Sequence, residues 1–355
     1  MDQTTDWIIS PSDLVLVTGA NGFIGAKVAE TLLKRGCANI RCLARSVTDA
    51  AGIRDVASAS GGQVQLFEGN LLSRESCAAA VKGVKMIIHL AAGVDKSYSG
   101  SFYSTVISTR NLIEAALADG NLKRFVNISS FAVYSNWDLP HNSVLDETCP
   151  VETGPDYRFE TYCYAKAKQD QLIAEYVKTR SLPCVTLRPG AVYGPRSRQF
   201  LTPRIGIDTF GIYLHLGGGN NIPLTYVDNC ADAMVLAGLV KGVDGEVFNI
   251  VDDGLPTSRS FLSQYKREVG GFSSIYVPYP IFYAFCYSWE RYAAWSGEQF
   301  PPLFNRRRCA TYWKGNQYSN AKAKRMLGWT PQVSSAEGAR RHFEYFKNMQ
   351  KKKVS

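Results

Sequence analysis

The chain has 355 residues, 45% of them hydrophobic and 20% charged, with 40 Lys and Arg against 31 Asp and Glu for a formal +9. This is the profile of a globular protein with a sizeable core, and it excludes disordered and collagen-like chains. The basic balance favours anionic ligands or surfaces without choosing among phosphate cofactors, acidic lipids and nucleic acid.

The N-terminal stretch MDQTTDWIISPSD is acidic and lacks a cationic n-region, so it does not read as a signal peptide. DLVLVTG (13–19) predicts a short apolar strand. In 23–36, Ile24, Val28 and Leu32 recur at helical spacing before a glycine stop. Segments 39–45, 64–70, 86–92 and 124–130 predict four more strands, with helical patterns between them, for example at 108–118 and 164–179. Strands alternating with helices predict an α/β fold, a Rossmann-type doubly wound parallel sheet. After the strand-like 184–190, Gly, Pro and aromatics rise, which predicts a smaller C-terminal substrate lobe. The expected division is a dinucleotide-binding domain over 13–190, with 222–252 returning to it, and a lobe from 191–221 and 253–345. Residues 346–355 read as a solvated, disordered basic tail. The aromatic run 281–295 is broken by Glu290 and Arg291 and is too short to span a bilayer. Nine cysteines, scattered without a C-x-x-C pair, argue against a disulfide framework and against a metal site. Reduced buried thiols in a cytoplasmic protein are the expectation.

VLVTGANGFIG holds Gly19, Gly22 and Gly25 between a strand and a helix. In that context Gly19 permits a tight turn, Gly22 lets backbone approach a pyrophosphate, and Gly25 lets helix and strand pack closely. The helix N-terminus adds free N–H groups and a positive dipole end. An acid at the end of the second strand would select NAD, but that strand ends Ala44-Arg45-Ser46. A guanidinium at Arg45 suits a 2′-phosphate and favours NADP, with NAD still open and a solvated surface arginine as the bland alternative.

TGANGFIG, HLAA (89–92), ISSFAVYS (128–135), Tyr162-x-x-x-Lys166, LRPGAVYGP (187–195), YVDNCADA (226–233) and AKRMLGWTP (323–331) occur in one order. Together they resemble an extended short-chain dehydrogenase/reductase, nearest in pattern to the 3β-hydroxysteroid dehydrogenase-like branch. The resemblance implies Tyr162 as acid/base, Lys166 as its activator and Ser130 as donor to the substrate oxygen, with Ser129 adjacent. It implies cofactor contacts at Gly19, Asn21, Gly22, Phe23, Ile24, Gly25, Arg45, Asn70, Leu71, Ala91, Ala92, Tyr162, Lys166, Pro189 and Val192. An ammonium near Tyr162 would favour the phenolate, since a phenol titrates near ~10. Tyr164 sits two residues from Lys166 and is expected to face elsewhere. Thr105 replaces an Asn that many relatives use in a proton relay, and Asn70 stands where Gly-Asp-Leu is common.

Dehydratases of the group resemble Thr-Asp-Glu at the Ser130 position, where this chain has Ser130-Phe131-Ala132, so dehydration and the related decarboxylation are not expected. Sugar-nucleotide enzymes carry Arg-Asp where this chain has Ile222-Pro223. The reading is an NADP-preferring oxidoreductase that interconverts a secondary alcohol and a ketone on an apolar, steroid-like or 3-oxoacyl-like substrate. A nucleotide-sugar epimerase with tightly held NAD and a catalytically silent dinucleotide sensor are the alternatives. Arg306-Arg307-Arg308 read either as a holder of an acidic group or as a solvated patch. A homodimer and a peripheral membrane contact are expected partners; nucleic acid is not.

Overall fold

The computed structural model describes residues 7–48, 50–93, 95–197, 201–209, 211–297 and 299–354. Its central sheet has seven strands: β1 (Leu14–Thr18), β2 (Ile40–Ala44), β3 (Val64–Glu68), β4 (Val84–His89), β5 (Arg124–Ile128), β6 (Cys184–Pro189) and β7 (Val247–Ile250). Across the sheet they lie in the order β7, β6, β5, β4, β1, β2, β3. Every neighbouring pair is parallel.

Helices cover both faces, so the strands read as continuous apolar runs rather than as an alternation. In β1, Val15 and Val17 pack with Val28 and Leu32 of helix Phe23–Lys34 and with Met234 of helix Val227–Leu239. Leu16 points the other way, onto Leu112 and Ile173 of helices Ser108–Asp119 and Thr161–Arg180. Truncating so buried a leucine costs about 2–5 kcal/mol. The strand order reverses between β1 and β4, and the crevice at their C-terminal ends is where such sheets take ligands.

The apolar stretch 222–228 does not enter this sheet. Its strand Leu224–Tyr226 pairs with Ala191–Tyr193 in a separate parallel ribbon. Pro189 and Gly190 end β6 and turn the chain aside. Ala191 N–H donates to Pro223 O, and a Cβ on Gly190 would lie 2.2 Å from that oxygen. The smaller lobe has a sheet of Gly206–Thr209, Ile212–His215 and Ser274–Tyr276, with helices Tyr279–Trp295 and Arg306–Trp313. The final helix, Ser335–Val354, runs into the segment expected to be a disordered tail. Buried Phe343 and Phe346 anchor it. Among the described residues no helix is long and apolar enough to cross a membrane.

Candidate active site

Gly19 has φ +67°, and a Cβ there would lie 2.9 Å from the amide nitrogen of Ala91. Only glycine lets the loop after β1 pass so close to the loop after β4. A Cβ on Gly25 would meet Gly19 O at 2.3 Å, so this glycine sets how closely the helix approaches the strand end. Gly22 is the helix N-cap, no side chain caps the first turn, and that turn carries no acid. Asn21 is exposed, while Phe23 and Ile24 are half-buried against the cluster of Tyr193 and Tyr226. This cradle of bare backbone with an uncapped helix end fits a dinucleotide pyrophosphate.

Ser130 follows β5. Its Oγ accepts from Ala132 N at 3.1 Å and so caps the single 3-10 turn Phe131–Val133. The Tyr162 hydroxyl lies beside the Ser130 side chain. Tyr162 and Lys166 lie one turn apart on helix Thr161–Arg180. Tyr162 is 36% exposed, so its ring edge meets solvent, yet burial of the phenol end raises its pKa above the ordinary 10.0. The neighbouring Ser130 hydroxyl opposes that rise, and the nearby charge of Asp170 adds to it. Lys166 is only 4% exposed, and burial pushes its pKa down to about 8 against the pull of Asp170.

Lys166 Nζ donates to Ile128 O at 2.7 Å and to Gln169 Oε1 at 2.9 Å. Neither bond goes to the phenol. The expected direct lowering of the Tyr162 pKa by Lys166 is therefore absent from this arrangement, in which burial dominates. An ammonium has three donors, so one N–H of Lys166 is left for a ligand.

Behind the lysine runs a buried chain of hydrogen bonds whose directions can be worked out. Gln169 Nε2 donates to Thr109 Oγ1 at 2.8 Å. Thr109 Oγ1 donates its own proton to Thr105 O, so it accepts from His89 Nε2 at 2.9 Å. His89 is thus the Nε2–H tautomer, and its Nδ1 accepts from Thr18 Oγ1 at 2.8 Å. Thr18 Oγ1 in turn accepts from Ala91 N at 3.2 Å. Thr18, His89, Thr109 and Gln169 are fully buried. Burial, with the charge of Lys166, holds the His89 pKa down at about 3, so the ring stays neutral. One satisfied network therefore ties the lysine to the glycine loop.

The sequence pattern of the NAD dependent epimerase/dehydratase family matches residues 15–251. The chain belongs to that family. It is an NAD(P)-dependent enzyme of the dehydrogenase/reductase type. It is 30% identical over 343 residues to 2-alkyl-3-oxoalkanoate reductase of Stenotrophomonas maltophilia, covering 92% of this chain and 97% of that one. It is 26% identical over 359 residues to the decarboxylating sterol-4-alpha-carboxylate 3-dehydrogenase of Mus musculus, covering 97% and 94%. Its fold is similar to that of UDP-glucuronic acid 4-epimerase from Bacillus cereus, solved with NAD, at TM-score 0.70 and 21% identity over 95% of this chain and 98% of that one.

The remaining positions expected from the family resemblance lie along the same sheet edge. Arg45 is exposed just beyond β2, and its guanidinium has no partner among the described residues. Asn70 Oδ1 accepts from Leu72 N at 3.0 Å, which leaves its amide nitrogen to donate elsewhere. Leu71 is a core residue, so only its backbone is free to face a ligand. Ala91 and Ala92 lie in the loop after β4, Pro189 is buried at the end of β6, and Val192 is half-buried beside it. Tyr164 packs edge-on against Tyr98 at 5.0 Å and points away. Thr105, at the family's Asn position, bonds the backbone of Gly93 and sits in a π-helical turn, Tyr103–Ile107.

Sequence reasoning missed Gln169 and Thr109, and also Asn111, whose amide pins the loop after β3 through Leu71 O and Leu72 O. It also missed fully buried Arg158, which donates to Ala132 O and pairs with Glu160 at 2.6 Å. The three consecutive arginines pair with Glu290, Glu152 and Glu160 respectively. They clamp the lobe rather than wait for an acidic ligand. The only signal for Gln169 was its place three residues after Lys166, on the same helix face.

Proposed function

We propose that the protein is an NADP-preferring oxidoreductase that interconverts a secondary alcohol and a ketone on an apolar 3-oxo or 3-hydroxy acid or related acyl compound. The observation that carries this reading is the juxtaposition of the Ser130 and Tyr162 hydroxyls beside buried Lys166, at the sheet edge that holds the glycine loop. The loop Gly19–Gly25 would hold the pyrophosphate and Arg45 the 2′-phosphate, and the bound cofactor supplies hydride chemistry. Burial keeps Tyr162 protonated at neutral pH, so it is set to give its proton to a carbonyl oxygen. Ser130 donates to the same oxygen and fixes it within reach of the phenol. The remaining N–H of Lys166 is placed to hold a ribose hydroxyl.

The substrate class draws on two relatives. A sterol 4-carboxylate handled at carbon 3 and a 2-alkyl-3-oxoalkanoate both set the oxygen-bearing carbon next to the carbon that carries a carboxylate. A homodimer through helices Ser108–Asp119 and Thr161–Arg180 accompanies this reading and is checked by sedimentation velocity.

The test is cofactor handling. Purified protein is denatured and the supernatant assayed for nicotinamide, and refilled protein is titrated with NADP and NAD by fluorescence. Exchangeable cofactor with tighter NADP binding supports the proposal. Stoichiometric retained NAD would instead favour an epimerase.

A further inference from the structure

Helix Tyr279–Trp295 spans 17 residues, and its only charged residues are Glu290 and Arg291. Its inner face is buried at Phe282, Cys286 and Ala293. Its outer face is also apolar. Ile281, Phe285, Tyr292 and Trp295 fall on one helical line, and all are exposed, Ile281 to 62% and Trp295 to 81%. Phe300 extends this line, its ring tilted against Tyr292 at 5.8 Å. A contiguous row of exposed rings marks a surface that is covered in use.

Its chemistry points to what covers it. Tyr and Trp, apolar rings with a polar edge, suit the boundary between water and a bilayer. Residues 258–314 carry eight Lys and Arg (259, 266, 267, 291, 306, 307, 308, 314) against three Glu (268, 290, 298) and no Asp. Arg307 and Arg308 pair with Glu152 and Glu160 from outside this stretch, which leaves +3, with Arg291 on the helix itself unpaired among the described residues. Across a two-fold axis, two such faces would set like charge against like. An anionic lipid surface offers charge complementarity instead.

We propose that this face docks on an anionic lipid bilayer, with helix Tyr279–Trp295 lying in the plane of the interface. The N-terminal turns of the same helix line an open cavity of about 310 Å³ through Tyr279, Pro280 and Tyr283, together with Trp137, Ala310 and Lys314. Where the proposed apolar substrate is correct, this places a route from lipid to the substrate lobe on one helix. The docking itself does not depend on that substrate.

The test uses the full chain with vesicles of phosphatidylcholine, alone or mixed with phosphatidylglycerol, in co-sedimentation. The mixed vesicles are expected to bind the protein, more weakly as salt rises, with a blue shift of tryptophan fluorescence. The double substitution Phe285→Glu and Trp295→Glu is expected to weaken partition by about tenfold or more, with circular dichroism and dinucleotide binding unchanged. Arg291→Glu is expected to remove part of the preference for the anionic vesicles. Absent binding, equal binding to both vesicle types, or equal binding by the double variant overturns the proposal. So does self-association that the double variant abolishes in protein that ignores vesicles, since it assigns the face to a second copy. Tyr162→Phe should bind vesicles like the wild type, so a failure of the catalytic reading shows separately in turnover.

Discussion

Acidification tests the buried network from Lys166 to Ala91. His89 is fully buried, and its pKa falls from the ordinary 6.5 to about 3 because burial and Lys166 both disfavour its charge. Between those values the unfolded chain binds a proton that the folded chain refuses, so stability falls as pH falls. Over the whole window this is on the order of 5 kcal/mol, and by about pH 5 roughly 2 kcal/mol is already lost. Asp252 works in the opposite sense. Burial lifts its pKa from 3.8 to about 6, so the folded state takes up its proton first and gains stability as pH drops through that value. The wild-type curve sums both effects, and a comparison with His89→Gln isolates the histidine. Glutamine keeps a donor toward Thr109 and does not titrate. It loses the acceptor for Thr18 and the ring contact with Phe125 at 5.7 Å, so it starts about 1–3 kcal/mol less stable. In urea unfolding at constant slope, the gap between the two proteins should narrow by roughly 2 kcal/mol between neutral pH and about pH 5. A gap that stays constant would refute a neutral, buried His89 and the bond directions that follow from it.

Three further outcomes are expected. Because Lys166 titrates near about 8, turnover that needs its ammonium should fall as pH rises through that value; Gln169→Glu, which puts a carboxylate where the amide oxygen now sits 2.9 Å from Nζ, should move this limb of the kcat/KM profile to higher pH. Arg45→Ala should weaken NADP binding by about tenfold and leave NAD binding unchanged, read by fluorescence titration. Gly25→Ala sets a Cβ 2.3 Å from Gly19 O, so it should cost about 1–3 kcal/mol in urea unfolding and abolish dinucleotide binding.

The parallel sheet was legible because strands buried on both faces leave an apolar run, as Val15-Leu16-Val17 does. The glycine loop was legible because each glycine answers a specific crowding: Ala91 against Gly19, Gly19 O against Gly25. The network behind Lys166 was not. Gln169 and Thr109 lie 60 residues apart and His89 and Thr18 lie 71 apart, so nothing local distinguishes these from ordinary polar helix residues. The strand at 224–226 was readable as a strand, but its partner depends on the turn at Gly190. The terminal helix was hidden by the lysine run after its buried anchors, Phe343 and Phe346. The pull of Lys166 on Tyr162 was misjudged because spacing along a helix says nothing of where an ammonium finds its acceptors.

In the proposed reaction Tyr162 moves the substrate proton, while the glycine loop and Arg45 carry most of the cofactor binding. The direct measurement is oxidation of reduced dinucleotide with a panel of apolar 3-oxo acids and esters, by wild type and Tyr162→Phe side by side. Turnover by the wild type is expected, with a loss on the order of 10²–10⁴ in kcat for the variant and dinucleotide affinity nearly unchanged. Comparable turnover by Tyr162→Phe would contradict this role of Tyr162.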